Sequence, residues 1–176
     1  MNVQTRSSGF TEYLTNLKEN KAAMAILRRA AAFSPGEYPP QYQYVVPFLK
    51  EGEYDLPFFL ASSLFALHPE LKATGNFGDS FRKLAAAVSS ESIELRFNSL
   101  IQCHTDDLQY HLRNAVSLFS SKGIAVNYEE LFRAIKNWNH PDRFVQRQWA
   151  RSFWKREEKN ENGNEQNEQK ISIKEN

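Results

Sequence analysis

Between Thr105 and Gly123 the apolar residues fall at Leu108, Leu112, Ala115, Val116 and Phe119, spaced i, i+4, i+7, i+8 and i+11. Only a helix gathers that series onto one face, because each residue turns by about 100°. Asp106 and Asp107 occupy the first turn, where carboxylates oppose the positive end of the helix dipole, and Gly123 supplies a stop. The same marks, a polar opener, a helical period and a breaker, recur along the chain, and strand alternation does not. The expectation is an all-α protein of about eight to nine helices.

Phe10, Tyr13, Leu14 and Leu17 form one apolar face, and "KAAMAILRRAAA" is rich in strong helix formers up to the breaker "FSPGEYPP". "YQYVVPFL" reads as a turn or two of helix. Asp55 with Pro57 opens "LPFFLASSLFALH", apolar all round and so expected to be buried, and Pro69 stops it. After "PELKATGN", Asp79 is expected to open "SFRKLAAAV", and Ser90 with Glu91 and Glu94 to open "SIELRFNSLIQ". Asn127 and Glu130 match a capping box ahead of Leu131, Phe132, Ile135 and Trp138, and "NHPD" precedes the last helix. The loop around residues 67–78 divides the array into an N-terminal helical group, 1–74, and a C-terminal group, 75–156. The later helices of the second group have short connectors and read as an antiparallel four-helix bundle.

One cysteine, Cys103, excludes an internal disulfide and a multi-cysteine zinc site, which suits a reducing cytoplasm. No apolar run reaches the about 20 residues of a membrane span, and "MNVQTRSSGF" is no signal peptide. A soluble cytoplasmic protein without a membrane partner is expected. The net charge of +1 is unevenly spread: residues 1–156 hold 19 Lys and Arg against 15 Asp and Glu, and residues 157–176 hold 3 against 6. The segment 157–176 reads as a disordered acidic tail, able to fold back on a basic face, and the body as moderately basic.

No phosphate-binding loop, dinucleotide fingerprint or nucleophile elbow is present. Ser80 to Lys83 match S-x-x-K, a four-residue pattern that arises by chance, without the partner motifs of that enzyme class. His104, Asp107 and His111, at i, i+3 and i+7, could offer metal ligands along one helix side, against the simpler reading of a solvated polar face. Trp138, Trp149, Phe153 and Trp154 could stack on bases, but their spacing reads first as bundle core. The expectation is a protein with no catalytic residue, no metal and no cofactor.

The basic residues lie opposite the apolar faces in helix after helix. Arg28 and Arg29 close one helix, Arg82 and Lys83 follow the start of another, and Arg96, Arg113, Arg133 and Lys136 occupy polar positions of three more. In "RFVQRQWARSFWKR", Arg143, Arg147, Arg151 and Lys155 recur every fourth position, drifting by about 40° at each step. A line of fixed cations can track a phosphate backbone, because it displaces condensed counterions. A solvated face or pairing with carboxylates is the competing account of the same charges.

Read in order, "ILRRA", "YQYVVPFL", "FFLASSLFALHP", "FGDSFRKLAA", "LRFNSLIQ", "LQYHLRNAVSLFSSKGIAVNYEELFRAIKNW" and "VQRQWARSFW" resemble the CasB family, the small subunit of the type I-E CRISPR surveillance complex called Cascade. The resemblance runs from Ala22 to Lys155. It implies a non-catalytic all-helical subunit, present with a second copy of itself and with other Cascade subunits. There it positions guide RNA and target DNA and supports the displaced strand of the R-loop in antiviral defence. By position it carries the family's paired arginines onto Arg28 and Arg29, its next basic pair onto Arg82 and Lys83, and single arginines onto Arg96 and Arg113. Lys136, Arg147 and Arg151 join the expected nucleic-acid-binding set on the residue pattern. Leu95, Asn98, Ser99 and Asn114 stand where the family is more basic, and "TGNFGD" carries no cation, which implies weaker electrostatic binding. The alternative function is an assembly adapter without direct nucleic-acid contact, its basic face docked on acidic protein surfaces.

Overall fold

The computed structural model describes residues 3–70 and 73–155, and the expected acidic tail lies outside the described residues. The elements are α1 (Val3–Asn16), α2 (Lys21–Ala30), α3 (Tyr42–Val45), α4 (Leu56–Leu67), α5 (Phe77–Val88), α6 (Glu91–Gln102), α7 (Thr105–Ser121), α8 (Tyr128–Lys136) and α9 (Phe144–Phe153), with short 3-10 turns on either side of α3. There is no strand among the described residues, and the fold is all-α as expected. No described helix is long and apolar enough to cross a membrane.

Several boundaries follow local capping chemistry. Asn20 accepts from the Ala23 amide at 3.0 Å, Ser90 from the Ser92 amide at 3.3 Å, and Asn127 from the Glu130 amide at 3.1 Å. One boundary differs, and at two others the side-chain bonding does. The helix expected to open at Asp79 opens at Phe77, because Asn76 is the cap: its side chain accepts from Gly78 and Asp79, while the Asp79 carboxylate accepts from the Asn76 amide. Asp79 is thus the third residue of the helix. At α7, His104 holds the cap position without a side-chain bond, and the Thr105 hydroxyl bonds the Asn139 side chain instead. At α8 the Asn127 half of the box forms, but the Glu130 carboxylate accepts from Trp149 Nε1 at 3.2 Å rather than returning to its own cap.

The all-round apolar helix is central: Pro57 to Ala66 of α4 are all buried. It packs on α2, α8 and α7, and Gln41 beside α3 ties to it by donating to the Phe59 carbonyl at 2.8 Å and Ser62 Oγ at 2.9 Å. Phe10, Phe58 and Phe132 join α1, α4 and α8 through ring contacts at 5.0 and 4.8 Å. Helices α5, α6, α7 and α9 pack on one another, whereas α8 packs chiefly on α4 and α1. One hydrophobic cluster runs through the whole array from Phe10 to Phe153.

The tightest point is the crossing of α5 and α9. A Cβ on Gly78 would stand 2.0 Å from the Trp149 carbonyl oxygen, so only glycine lets the two backbones meet there. Phe77, Phe81, Phe97, Phe119 and Phe153 close around that contact with Trp149.

Candidate nucleic-acid interface

Arginine and lysine are held in two ways in this fold. Arg28 donates through Nε to the Ala66 carbonyl at 3.1 Å, satisfying an acceptor that the end of α4 leaves open. Arg82 pairs with Asp79 at 3.6 Å, Arg133 with Glu129 at 4.0 Å, and Lys136 with Glu53 at 3.9 Å. By contrast, Arg29, Lys83, Arg96, Arg113, Arg147 and Arg151 are exposed, and none pairs with a carboxylate among the described residues.

The four-residue basic period at the C-terminal end does not form one line. Arg143 precedes α9 in a left-handed conformation with φ of 49°, and its guanidinium donates to the Ile101 carbonyl at 2.5 Å. Lys155 lies past the end of the helix. Only Arg147 and Arg151 are left as exposed cations on α9, because the helix is ten residues long and its rear is committed to α5.

A different gathering forms around α7. Gln109 donates to the Phe33 carbonyl at 2.6 Å and more weakly to that of Ala31 at 3.4 Å, which brings the end of α2, with Arg28 and Arg29, against this helix. Arg113 lies one turn beyond Gln109 on the same flank, at i+4. On the opposite flank α6 and α7 leave a cleft of about 220 Å³ lined by Leu95, Arg96, Ser99, Tyr110, His111 and Asn114, among others. No carboxylate lines it. Arg96 thus lies on one flank of α7 and Arg113 on the other. Lys83 is exposed on α5, and Lys136 on α8 is the lysine paired with Glu53.

The other chemical candidates resolve into packing. Ser80 is buried and donates to the Ala125 carbonyl at 3.1 Å, so the S-x-x-K match places a structural hydroxyl, with Lys83 in solvent. No group of three His, Cys, Asp or Glu side chains able to hold a metal occurs among the described residues, and His104, Asp107 and His111 do not converge. Burial pushes the Cys103 thiol up to about 11, with Asp107 adding to the shift. Burial also pushes Glu130 up to about 7, partly offset by the Trp149 hydrogen bond and the charge of Arg133. Trp138, Trp149 and Phe153 are core, as their spacing suggests, whereas Trp154 is half exposed with its ring against Phe97.

Sequence reasoning missed Tyr110. Its ring is 67% exposed in the middle of α7, equal to Leu95 across the cleft. The signal was present, since Tyr110 falls out of phase with the Leu108, Leu112 and Val116 stripe and so had to face solvent.

Comparison with known proteins gives a consistent result. Residues 23–154 match the family model described as CRISPR-associated protein Cse2. A protein of that description from Thermus thermophilus is 32% identical over 157 residues, covering 82% of this chain and 88% of its own length. The crystal structure of CasB from Thermus thermophilus superposes with a TM-score of 0.74 at 30% identity, covering 84% of this chain and 97% of that one. A chain of a CRISPR RNA-guided surveillance complex shares the fold, with a TM-score of 0.76 at 19% identity over 86% of this chain and 93% of that one.

Proposed function

The chain belongs to the CRISPR-associated Cse2 family, and from that premise we propose that it serves as a small subunit of an RNA-guided surveillance complex, holding nucleic-acid backbone by charge. One observation carries the reading: Arg29, Arg96 and Arg113, on three different helices, are exposed and without a carboxylate partner among the described residues. Cations that served stability alone would be expected to find partners, as Arg82 and Arg133 do. Arg147 and Arg151 extend the same surface chemistry on α9.

Such a surface reads no bases by itself. Guide pairing supplies the sequence information in complexes of this kind, and the protein recognises backbone geometry. Guide RNA, target DNA and the displaced strand are therefore the proposed partners, together with other subunits and a second copy of the chain. Each phosphate neutralised on a single strand adds about 0.7 to the slope of log affinity against log salt, so a few contacts bind weakly alone and firmly once assembly raises the effective concentration.

The test replaces Arg28, Arg29, Arg96 and Arg113 by alanine together in a reconstituted complex. Assembly is expected to persist while R-loop lifetime falls and becomes less sensitive to salt. Loss of assembly without any salt-sensitive binding by the free subunit would support the adapter reading instead.

A further inference from the structure

Tyr110 gives the α7 surface a chemistry that backbone binding does not use. A tyrosine in mid-helix normally turns its ring toward a core, but this residue is 67% exposed and stands at the mouth of the cleft lined by Leu95, Arg96, His111 and Asn114. The His111 ring packs against it at 5.3 Å and 82°, which restricts the tyrosine without covering it. Arg113 is its i+3 neighbour on α7, about 5–6 Å away between Cβ atoms, and Arg96 lines the cleft from α6. An aromatic plane is thereby bracketed by two cations that have no carboxylate partner among the described residues.

We propose that the cleft between α6 and α7 seats one unpaired nucleobase of a single DNA strand, stacked on Tyr110, with Arg96 and Arg113 on the phosphates either side. The inference rests on the nucleic-acid reading above and adds an occupant to it. Size supports this occupant: about 220 Å³ is below the about 300–1,000 Å³ usual for small-molecule pockets, and suits one planar ring. Charge supports it as well, since Arg96 lines the cleft, Arg113 is the i+3 neighbour of Tyr110 at its edge, and no carboxylate lines it. Leu95 and Leu118 offer apolar contact for a ring, while Ser99, His111 and Asn114 offer hydrogen bonds that do not demand one base. Stacking is tolerant of sequence because every base has a π-face. In an R-loop the guide and target bases are paired with each other, so the displaced strand is the one with faces to offer.

The experiment measures binding of the full chain to a fluorescently labelled oligothymidylate and to its abasic counterpart across a salt series. Wild type is expected to favour the base-containing strand. Tyr110→Ala is expected to lose about fivefold or more on that strand, bind the abasic strand as wild type does, and keep the salt slope, while Tyr110→Phe retains binding. Arg96→Gln is expected to weaken both strands and lower the slope. If Tyr110→Ala binds both strands as wild type does while Arg96→Gln still weakens both, the base seat is overturned and backbone binding stands. If wild type shows no salt-sensitive binding to either strand, both readings fall. If Tyr110→Ala binds normally but no longer enters the reconstituted complex, the cleft holds a neighbouring protein side chain, which also overturns the proposal.

Discussion

At the crossing of α5 and α9, Phe77, Phe81 and Trp149 are buried, Arg82 is tied to Asp79, and Arg143 is tied to the Ile101 carbonyl. On the outer face of α7 the aromatic is exposed, and Arg96 and Arg113 have no carboxylate partner among the described residues. The difference arises from backbone separation. Gly78 lets α5 and α9 approach so closely that side chains must close around the contact, and polar groups there bond to the protein. The second flank of α7 is left open as a cleft, lined by Arg96 and by no carboxylate. Aromatics and arginines are therefore buried or tied in one region and exposed in the other.

Four changes sharpen that contrast. The largest effect is expected from Gly78→Ala, whose methyl would meet the Trp149 carbonyl and force the helices apart, lowering stability by about 3 kcal/mol in urea unfolding. A wild-type midpoint would show that the crossing is looser than the geometry requires.

The second prediction concerns Glu130, whose carboxyl is raised to about 7, chiefly by burial. Because the native state holds this proton more tightly than the unfolded chain, its contribution is fully present below about pH 4.5 and is lost as pH rises to about 7. Glu130→Gln keeps an acceptor for Trp149 Nε1 and removes the charge. It is expected to flatten that decline and raise stability above pH 7 by on the order of 1 kcal/mol, measured as unfolding free energy against pH.

The smallest effects are expected from the cations. Arg113→Gln should leave stability within about 0.5 kcal/mol of wild type and lower the salt slope of DNA binding by about 0.7. Arg82→Gln should cost less than about 1 kcal/mol and leave that slope unchanged, because its charge is already engaged by Asp79. Equal slope changes in the two variants would erase the distinction between tied and open arginines.

Helical class, the burial of α4 and the caps at Ser90 and Asn127 were legible in the chain, because each depends on residues within a few positions of one another. The start of α5 was misplaced because Asn76 and Asp79 are both good openers, and only their mutual bonds select the cap. The period from Arg143 to Lys155 suggested a line of charge, but a left-handed residue and a helix end interrupt it. The diversion of Glu130 from its cap likewise needed Trp149, nineteen positions away, to be in place.

The sequence by itself determined that this chain is helical, which face of most helices is apolar, and that its body is basic. These follow from side-chain period, capping chemistry and formal charge, all of them local. Only the tertiary structure decided which cations are tied and which are open, and that α6 brings Arg96 to a cleft beside the exposed Tyr110 of α7. A contact between distant residues depends on how closely two backbones pass, and that separation is set by the packing of the whole core.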